Sequence, residues 1–168
     1  MSRHVLSVLV SNHSGVLSRV AGLFSRRGYN IDSLSVGETE NADVSRMTIV
    51  APGDDLVIEQ IINQLDKLHD VLYIKQLKKS EATLKELALV KVTATNATRV
   101  EIIGIIDIFD ATIVDAATEA LTIEITGDTS EIDTFLTMVK TYGIKEMTRT
   151  GIIALQKGNH DIQSELSQ

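Results

Sequence analysis

The chain has 168 residues, 43% hydrophobic and 23% charged, a composition typical of a folded globular protein and too apolar for a disordered one. Its net charge of −7 disfavours binding to nucleic acid, and the absence of cysteine excludes disulfides, thiolate metal sites and a cysteine nucleophile. No apolar run reaches the roughly 18 residues of a membrane span, and the first residues alternate like a strand instead of forming a signal peptide. We therefore expect a soluble cytoplasmic protein.

The first half of the chain alternates between strand-like and helix-like patterns of apolar residues. Ser14 is predicted to cap the first helix, and Gly28 to end it. Asp54 is predicted to cap the second helix. In chain order, the predicted elements are strand His4–Ser11, helix Val16–Arg27, strand Tyr29–Val36, strand Arg46–Ala51, a helix after Asp54 and strand Val71–Leu77.

The second half repeats the order of the first. A polar stretch without periodicity, residues 79–85, is predicted to be a linker, and residues 159–168 a polar tail. The repeated elements are strand Leu87–Thr95, helix Arg99–Phe109, strand Thr112–Ala117, strand Leu121–Gly127, a helix capped by Asp128 and a closing strand region Ile144–Leu155. We therefore predict an α+β protein with two tandem ferredoxin-like βαββαβ domains, at residues 1–78 and 86–158.

Few residues of the chain suggest catalysis. The histidines are scattered, and no pair has the helical spacing and neighbouring carboxylate of a metal site; they are His4, His13, His69 and His160. The Gly-x-Ser-x-Gly turn of serine hydrolases does not occur, and neither does a glycine-rich phosphate loop. The sequence therefore predicts a protein that is not an enzyme and that holds no metal.

One turn of the first half has the features of a ligand site. Residues 12–15 join the first strand to the N-terminus of the first helix, where free N–H groups and the helix dipole attract an anion such as a carboxylate. Gly15 leaves the backbone open to a ligand, and Asn12 offers a donor and an acceptor. Alternatively, Gly15 only permits a tight turn that Asn12 stabilises. The equivalent turn of the second half, Thr95–Thr98, has no glycine, so we expect a ligand only in the first.

Two long stretches of the first half, Asn12–Val20 and Leu23–Leu34, resemble the N-terminal ACT domain of the small regulatory subunits of acetolactate synthase. The glycine turn, the Leu-x-Arg motif and the Phe-x-x-Arg-Gly-Tyr-Asn-Ile-x-Ser-Leu motif make this match specific. The segment Ser45–Ile49 is similar to the third strand of the same family. Four segments of the second half resemble the C-terminal domain of that family: Ile113–Asp115, Glu124–Gly127, Arg149–Gly151 and Ala154–Gly158.

The resemblance, which covers residues 2–158, implies a non-catalytic regulatory subunit in branched-chain amino acid biosynthesis. Such a subunit activates a thiamine-diphosphate-dependent catalytic subunit and confers feedback inhibition by valine, or by leucine or isoleucine. The resemblance implies no cofactor for this chain, whereas thiamine diphosphate, Mg²⁺ and FAD are implied for the catalytic partner.

The resemblance also implies a homodimer in which two ACT domains pair side by side with the effector at their interface. The backbone of Gly15 and Val16, together with Asn12, would hold the effector carboxylate. Asn30 and Ile31 of the second chain would meet the ammonium group and the branched side chain. An alternative for Asn30 is a local Asx-type turn.

Other interpretations remain open at this stage. A free-standing ACT-type amino-acid sensor would use the same effector site on another partner, but it does not account for the C-terminal repeat. An RNA-binding module shares the βαββαβ order but would carry exposed aromatic and basic residues on its strands, where this chain has Ser, Thr and Glu.

The surface that meets the catalytic subunit is less clearly marked. Its candidates are Arg19, Arg26, Arg27 and the loop Glu38–Ser45. Asp110 departs from the family pattern, in which a basic residue tends to follow the phenylalanine, so the resemblance does not carry over to this chain a role of that face in contacting the catalytic subunit or a polyanion.

Overall fold

The computed structural model describes residues 2–166. Its strands are β1 (Arg3–Ser11), β2 (Ser33–Glu38), β3 (Val44–Pro52), β4 (Val71–Leu77), β5 (Ala82–Thr93), β6 (Thr112–Ala117), β7 (Ala120–Gly127), β8 (Ile144–Arg149) and β9 (Ile153–Gln156). Its α-helices are α1 (Val16–Arg27), α2 (Asp55–Leu65), α3 (Arg99–Ile108), α4 (Thr129–Val139) and α5 (Ile162–Leu166). A short 3₁₀ helix, Lys140–Tyr142, follows α4. The predicted βαββαβ order is therefore confirmed in both halves.

The chain divides into two compact units. The described residues up to Leu84, together with those from Ile152 onward, form the first unit, and Lys85–Gly151 form the second. These limits differ from the predicted domains at 1–78 and 86–158, because the C-terminal segment returns to the first unit. None of the helices within residues 2–166 is long and apolar enough to cross a membrane.

The first unit is an antiparallel sheet in the order β2-β3-β1-β4. Its core joins apolar residues of β1 and β3 to those that α1 and α2 place at helical spacing. The buried members are Leu6, Val8, Val10, Val16, Val20, Leu23, Phe24, Met47, Ile49, Ala51, Ile58, Ile61 and Leu65. Each helix buries one side against the sheet and exposes its opposite side, which is the packing expected of helices on a sheet face.

The start of α1 differs from the prediction. Its N-cap is Gly15, with φ of 85°, and no side chain caps the helix, so the prediction that Ser14 is the cap is wrong. The left-handed backbone at Gly15 brings the chain into the helix without a capping side chain. The predicted end at Gly28 is confirmed, with φ of 70°.

The second strand begins at Ser33, four residues after its predicted start at Tyr29. The ring of Tyr29 packs edge-to-face on Phe24, with centroids 6.3 Å apart, and the backbone N–H of Tyr29 donates to the Phe24 carbonyl at 2.9 Å. These contacts hold Tyr29 to the end of α1. Residues 29–32 therefore form an irregular connection, although their polar and apolar residues alternate.

The C-terminal segment packs on the first unit, whereas the sequence predicted that it closes the second. Strand β9 pairs with β5, and near the start of β5 the N–H of Lys157 donates to the Glu81 carbonyl at 2.9 Å. Ala154 is buried in a cluster with Val5, Val50, Leu77 and Ala82. Strand β5 thus already begins inside the predicted linker, and helix α5 lies inside the predicted polar tail.

The second unit repeats the sheet, in the order β6-β7-β5-β8, with α3 and α4 on one face. Its core includes Ile102 and Ile106 of α3, and Phe135 of α4, whose ring packs edge-to-face on Phe109 with centroids 5.5 Å apart. Asp128 caps α4 as predicted, in a capping box with Glu131.

Candidate effector site

The N-terminus of α1 is built differently from those of α2 and α4. The first intrahelical bond runs from the Arg19 N–H to the Gly15 carbonyl at 3.0 Å, so the N–H groups of the first turn have no helical partner. No side chain caps α1, and its first turn contains no acidic residue. In contrast, Asp54 and Asp128 cap α2 and α4. The start of α1 therefore offers free donors and the positive end of the helix dipole to an anion.

A positive charge lies beside these donors. The Nε atom of Arg19 lies 2.6 Å from Oδ2 of Asp70, an ion pair that folds the arginine back over the turn. A Cβ atom added to Gly15 would lie 3.2 Å from Nη1 of Arg19. From the sequence, Arg19 is expected only as a candidate contact for the catalytic subunit. Its pairing joins residues 51 positions apart, and no local pattern indicates it.

Asn12 stabilises the end of β1 against the turn between β2 and β3. Its backbone N–H donates to the Asp43 carbonyl at 2.8 Å, and its side-chain Nδ2 donates to the Ala42 carbonyl at 2.8 Å. Nδ2 also lies 3.5 Å from Oε2 of Glu38. The side-chain oxygen of Asn12 has no hydrogen-bond partner among the described residues, so its remaining group is an acceptor.

Asn30 is held by the polar residues around it. Its Nδ2 donates to Oδ1 of Asp32 at 2.6 Å, and Oδ2 of Asp32 pairs with Nε of Arg3 at 2.8 Å. The side-chain oxygen of Asn30 has no partner within residues 2–166 and is free to accept from a cation. Ile31 is half-buried and packs against the first core.

One chain does not bring the five predicted site residues together. Asn12, Gly15 and Val16 lie at the end of the sheet where Ser11 is opposite Val44. Asn30 and Ile31 precede Ser33, which is opposite Val50 at the other end of β3. The six residue-to-residue steps from Val44 to Val50 span about 20 Å of strand. A single chain therefore holds two half-sites at opposite ends of its sheet.

Two other polar residues of the first unit, His4 and Arg46, have structural partners. His4 contacts Ser2, Gln76 and the Gly53 carbonyl at 2.9 to 3.1 Å. Arg46 donates to Ser7 Oγ at 2.8 Å, and burial lowers the pKa of its guanidinium while the charge of Glu40 opposes that shift. Within the part of the chain that the structure describes, no three His, Asp or Glu side chains cluster as a metal site.

Comparison with known families decides the assignment. Residues 6–73 match the family model of the AHAS small subunit-like ACT domain, and residues 85–158 match that of the small subunit of acetolactate synthase. The chain belongs to the acetolactate synthase small subunit family. This confirms the predicted resemblance and the ACT domain of the first unit.

Three members of the family are similar to this chain over almost their whole length. The probable acetolactate synthase small subunit of Methanothermobacter thermautotrophicus is 48% identical over 157 residues, which are 93% of this chain and 94% of that one. The acetolactate synthase small subunit of Mycolicibacterium smegmatis is 46% identical over 159 residues, 95% of this chain and 94% of that one. The crystal structure of the small subunit from Thermotoga maritima superposes with a TM-score of 0.90 at 38% identity, covering 95% of this chain and 100% of that one.

Proposed function

We propose that this chain is a non-catalytic regulatory subunit that forms a homodimer, binds a branched-chain amino acid between its two chains, and controls an acetolactate synthase catalytic subunit. The family membership supports the regulatory role and the catalytic partner. The observation that supports an effector site between chains is the separation of the two half-sites, which a second chain would complete.

Strand β2 supports a dimer because it is the outer strand of the sheet. The Thr39 N–H donates to the Val44 carbonyl at 2.9 Å, and opposed residues of an antiparallel pair alternate between bonded and non-bonded positions. Gly37, two residues earlier, is therefore bonded to β3. The backbone groups of Val36 point to the open edge instead, and its side chain is 46% exposed.

Antiparallel pairing of two β2 strands about a twofold axis would complete both half-sites. The Glu38 end of one strand then lies beside the Ser33 end of the other. Glu38 is next to Asn12, and Ser33 follows Asn30 by three residues. The pairing thus places Asn30 and Ile31 of one chain beside the start of α1 in the other. Parallel pairing would instead bring each half-site beside the identical half-site of the other chain, and neither site would be completed.

The assembled site matches the chemistry of an amino-acid zwitterion. The carboxylate would bind the free N–H groups of Gly15 and Val16, beside the Arg19 guanidinium. The ammonium would donate to the side-chain oxygens of Asn12 and Asn30. Because Nδ2 of Asn12 is bonded to the Ala42 carbonyl, we assign Asn12 to the ammonium and not to the carboxylate. Apolar residues such as Ile31 would surround the branched side chain of the amino acid. A difference of one methylene between two amino acids changes the binding free energy in such an apolar site by only about 1–3 kcal/mol.

A site between chains also supplies a means of regulation. A ligand shifts the equilibrium between two states of a protein only by its differential affinity for those states. The affinity of a site between two chains changes whenever the chains move relative to each other. Valine would therefore favour the arrangement of the complex in which its two half-sites close. The reaction and its cofactors would remain with the catalytic subunit, as the resemblance implies.

Mixing two variants tests the proposal. Gly15→Asp places a carboxylate in the anion site, and Asn30→His removes the amide, so each homodimer is expected to lose valine binding. A heterodimer of the two has one doubly altered site and one intact site. Refolding an equal mixture of both chains should therefore restore saturable valine binding, measured by titration calorimetry with D-valine as the control.

Thermal unfolding provides a separate check of valine binding by the native chain. Valine at about 100 times its dissociation constant should raise the melting temperature by about 5–10 °C.

The mixing experiment decides whether the site lies between two chains. If the mixture fails to bind although heterodimers form, the site lies within one chain and the proposal is wrong. A pull-down that recovers only partners unrelated to acetolactate synthase would favour the free-standing sensor.

A further inference from the structure

Helix α3 of the second unit is apolar on the side that faces away from its sheet. Val100 is 77% exposed and Ile108 is 71% exposed, and both lie one turn from Gly104. Residues four apart lie above one another on a helix, so these three form one stripe. We call this stripe the α3 face. The opposite side of the helix buries Ile102 and Ile106, so α3 is apolar nearly all round, a pattern typical of a helix covered on both sides.

Neither packing nor backbone conformation requires a glycine at position 104. A Cβ added there meets no atom within 4 Å, and its φ is not in the left-handed range. Glycine is among the poorest helix formers, so an alanine would favour α3 without a clash. A glycine between two exposed apolar residues lets another backbone approach the helix closely. Gly104 therefore marks the point where a second surface would cross α3.

Charge distinguishes between possible occupants of the α3 face. Glu101 and Asp107 border the stripe on its two sides, and Asp110 follows the helix. No Lys or Arg of the described residues lies within 4.0 Å of these carboxylates. Residues 85–151 contain eleven acidic and six basic side chains, a net charge of −5. The face is thus apolar with an unneutralised acidic border.

A second copy of this chain does not fit the face. A twofold axis through Gly104 places residue 101 of one helix at the position that faces residue 107 of the other. Glu101 would then oppose Asp107 twice, and like charges across an interface disfavour association. A surface with Lys or Arg at its border would instead neutralise both carboxylates.

We propose that the α3 face docks the acetolactate synthase catalytic subunit through an apolar segment of that subunit flanked by Lys or Arg side chains. The inference rests on the catalytic partner of the proposed function, but it does not involve the effector site. Val100 and Ile108 supply the apolar contact, Gly104 supplies the close approach, and Glu101 and Asp107 set the charge of the partner.

Binding of the purified catalytic subunit from the same organism tests the proposal, measured by biolayer interferometry. Gly104→Leu fills the open space, and Asp107→Lys reverses one border charge. Thr137→Leu on α4 is the matched control for bulk at an exposed helical position, and Glu59→Lys on α2 is the control for charge. We expect at least about a tenfold loss of affinity for Gly104→Leu, a smaller loss with slower association for Asp107→Lys, and little change for the controls.

Each result has a defined meaning. Gly104→Leu should retain or slightly raise its melting temperature, because leucine is a better helix former than glycine, and it should keep its valine-induced shift. These two results would show that the chain is folded and that the effector site is unaffected. Unchanged affinity in both variants overturns the docking assignment. A change in the oligomeric state of Gly104→Leu in the absence of the catalytic subunit also overturns it, because a second copy would then cover the face. If the native chain fails to bind the catalytic subunit, the proposed partner itself fails, and with it this inference.

Discussion

Arg19 and Asp70 form an ion pair of 2.6 Å between Nε and Oδ2, and this pair holds the guanidinium beside Gly15. Gly15 therefore meets two constraints at once: a left-handed backbone, with φ of 85°, and a neighbouring cation 3.2 Å from the position of an added Cβ. Both constraints act at the point where the effector carboxylate would bind.

Gly15→Ala is expected to lower the free energy of unfolding by about 1–2 kcal/mol, because alanine is strained in the left-handed region. It should also weaken valine binding, because the methyl group crowds Arg19. Urea unfolding and calorimetric titration measure the two effects. Gly104→Ala is the control, since its space is open and it should stabilise the chain by up to about 1 kcal/mol. If the native chain and the Gly15→Ala variant were equally stable, the claim that alanine is strained at this turn would be wrong.

The uncapped start of α1 predicts a contrast between two polar residues. Asp54→Ala removes the acceptor that the Val57 N–H uses at 2.9 Å and should cost about 1 kcal/mol. Ser14→Ala should leave stability nearly unchanged, because its hydroxyl caps nothing. Chemical denaturation of both variants measures the difference. A comparable loss in Ser14→Ala would mean that the serine caps α1 after all.

The open edge of β2 predicts a variant that separates the two chains of the proposed dimer without unfolding them. Val36→Pro removes an N–H that points away from β3, and proline is tolerated at such edge positions. It should sediment at the single-chain mass of 18.4 kDa, with native circular dichroism and without valine binding. Val36→Thr keeps the N–H and should remain a dimer. A dimeric Val36→Pro protein would exclude β2 pairing.

The return of β9 to the first unit predicts a local effect of a buried charge. Ala154→Asp places an unpaired carboxylate among Val5, Val50 and Leu77 and should destabilise the first unit by about 3 kcal/mol. Hydrogen exchange should accelerate in β1 and β4 and stay unchanged in β7. Leu155→Asp, at the exposed neighbouring position, should have little effect. Faster exchange confined to β7 would place the segment with the second unit.

Tyr142 gives the second unit a measurable pH dependence. Its hydroxyl donates to Oε2 of Glu101 at 2.9 Å, and this hydrogen bond, with desolvation and the carboxylate charge, raises the pKa of Tyr142 above 10.0. The folded chain thus favours the neutral phenol, a stabilisation present below pH 10 and lost as pH rises through the folded pKa.

Phenolate absorbance during alkaline titration measures this shift. Glu101→Gln should lower the pKa of Tyr142 towards that of free tyrosine, and Tyr142→Phe should remove the step assigned to it. An unchanged titration curve in Glu101→Gln would show that the carboxylate does not act on the phenol.

Local chemistry let the sequence predict most of the elements. Alternating apolar residues and helical stripes located the strands and helices of both repeats. The caps at Asp54 and Asp128 and the end at Gly28 were correct, because each depends on residues within one turn. The ACT motif identified the family for the same reason, since its glycine turn and the following motif are contiguous in the chain.

What only the tertiary structure decided depends on residues far apart in sequence. Strand register placed Asn12 and Asn30 at opposite ends of one sheet, so the proposed effector site would need a second chain. Long-range packing placed Ala154 in the first unit, although the sequence predicted that the segment Ile144–Leu155 closes the second domain. Asp70 reached Arg19 across 51 positions. Periodicity indicates which face of an element is buried, whereas register and domain limits follow from the partners that the whole chain brings together.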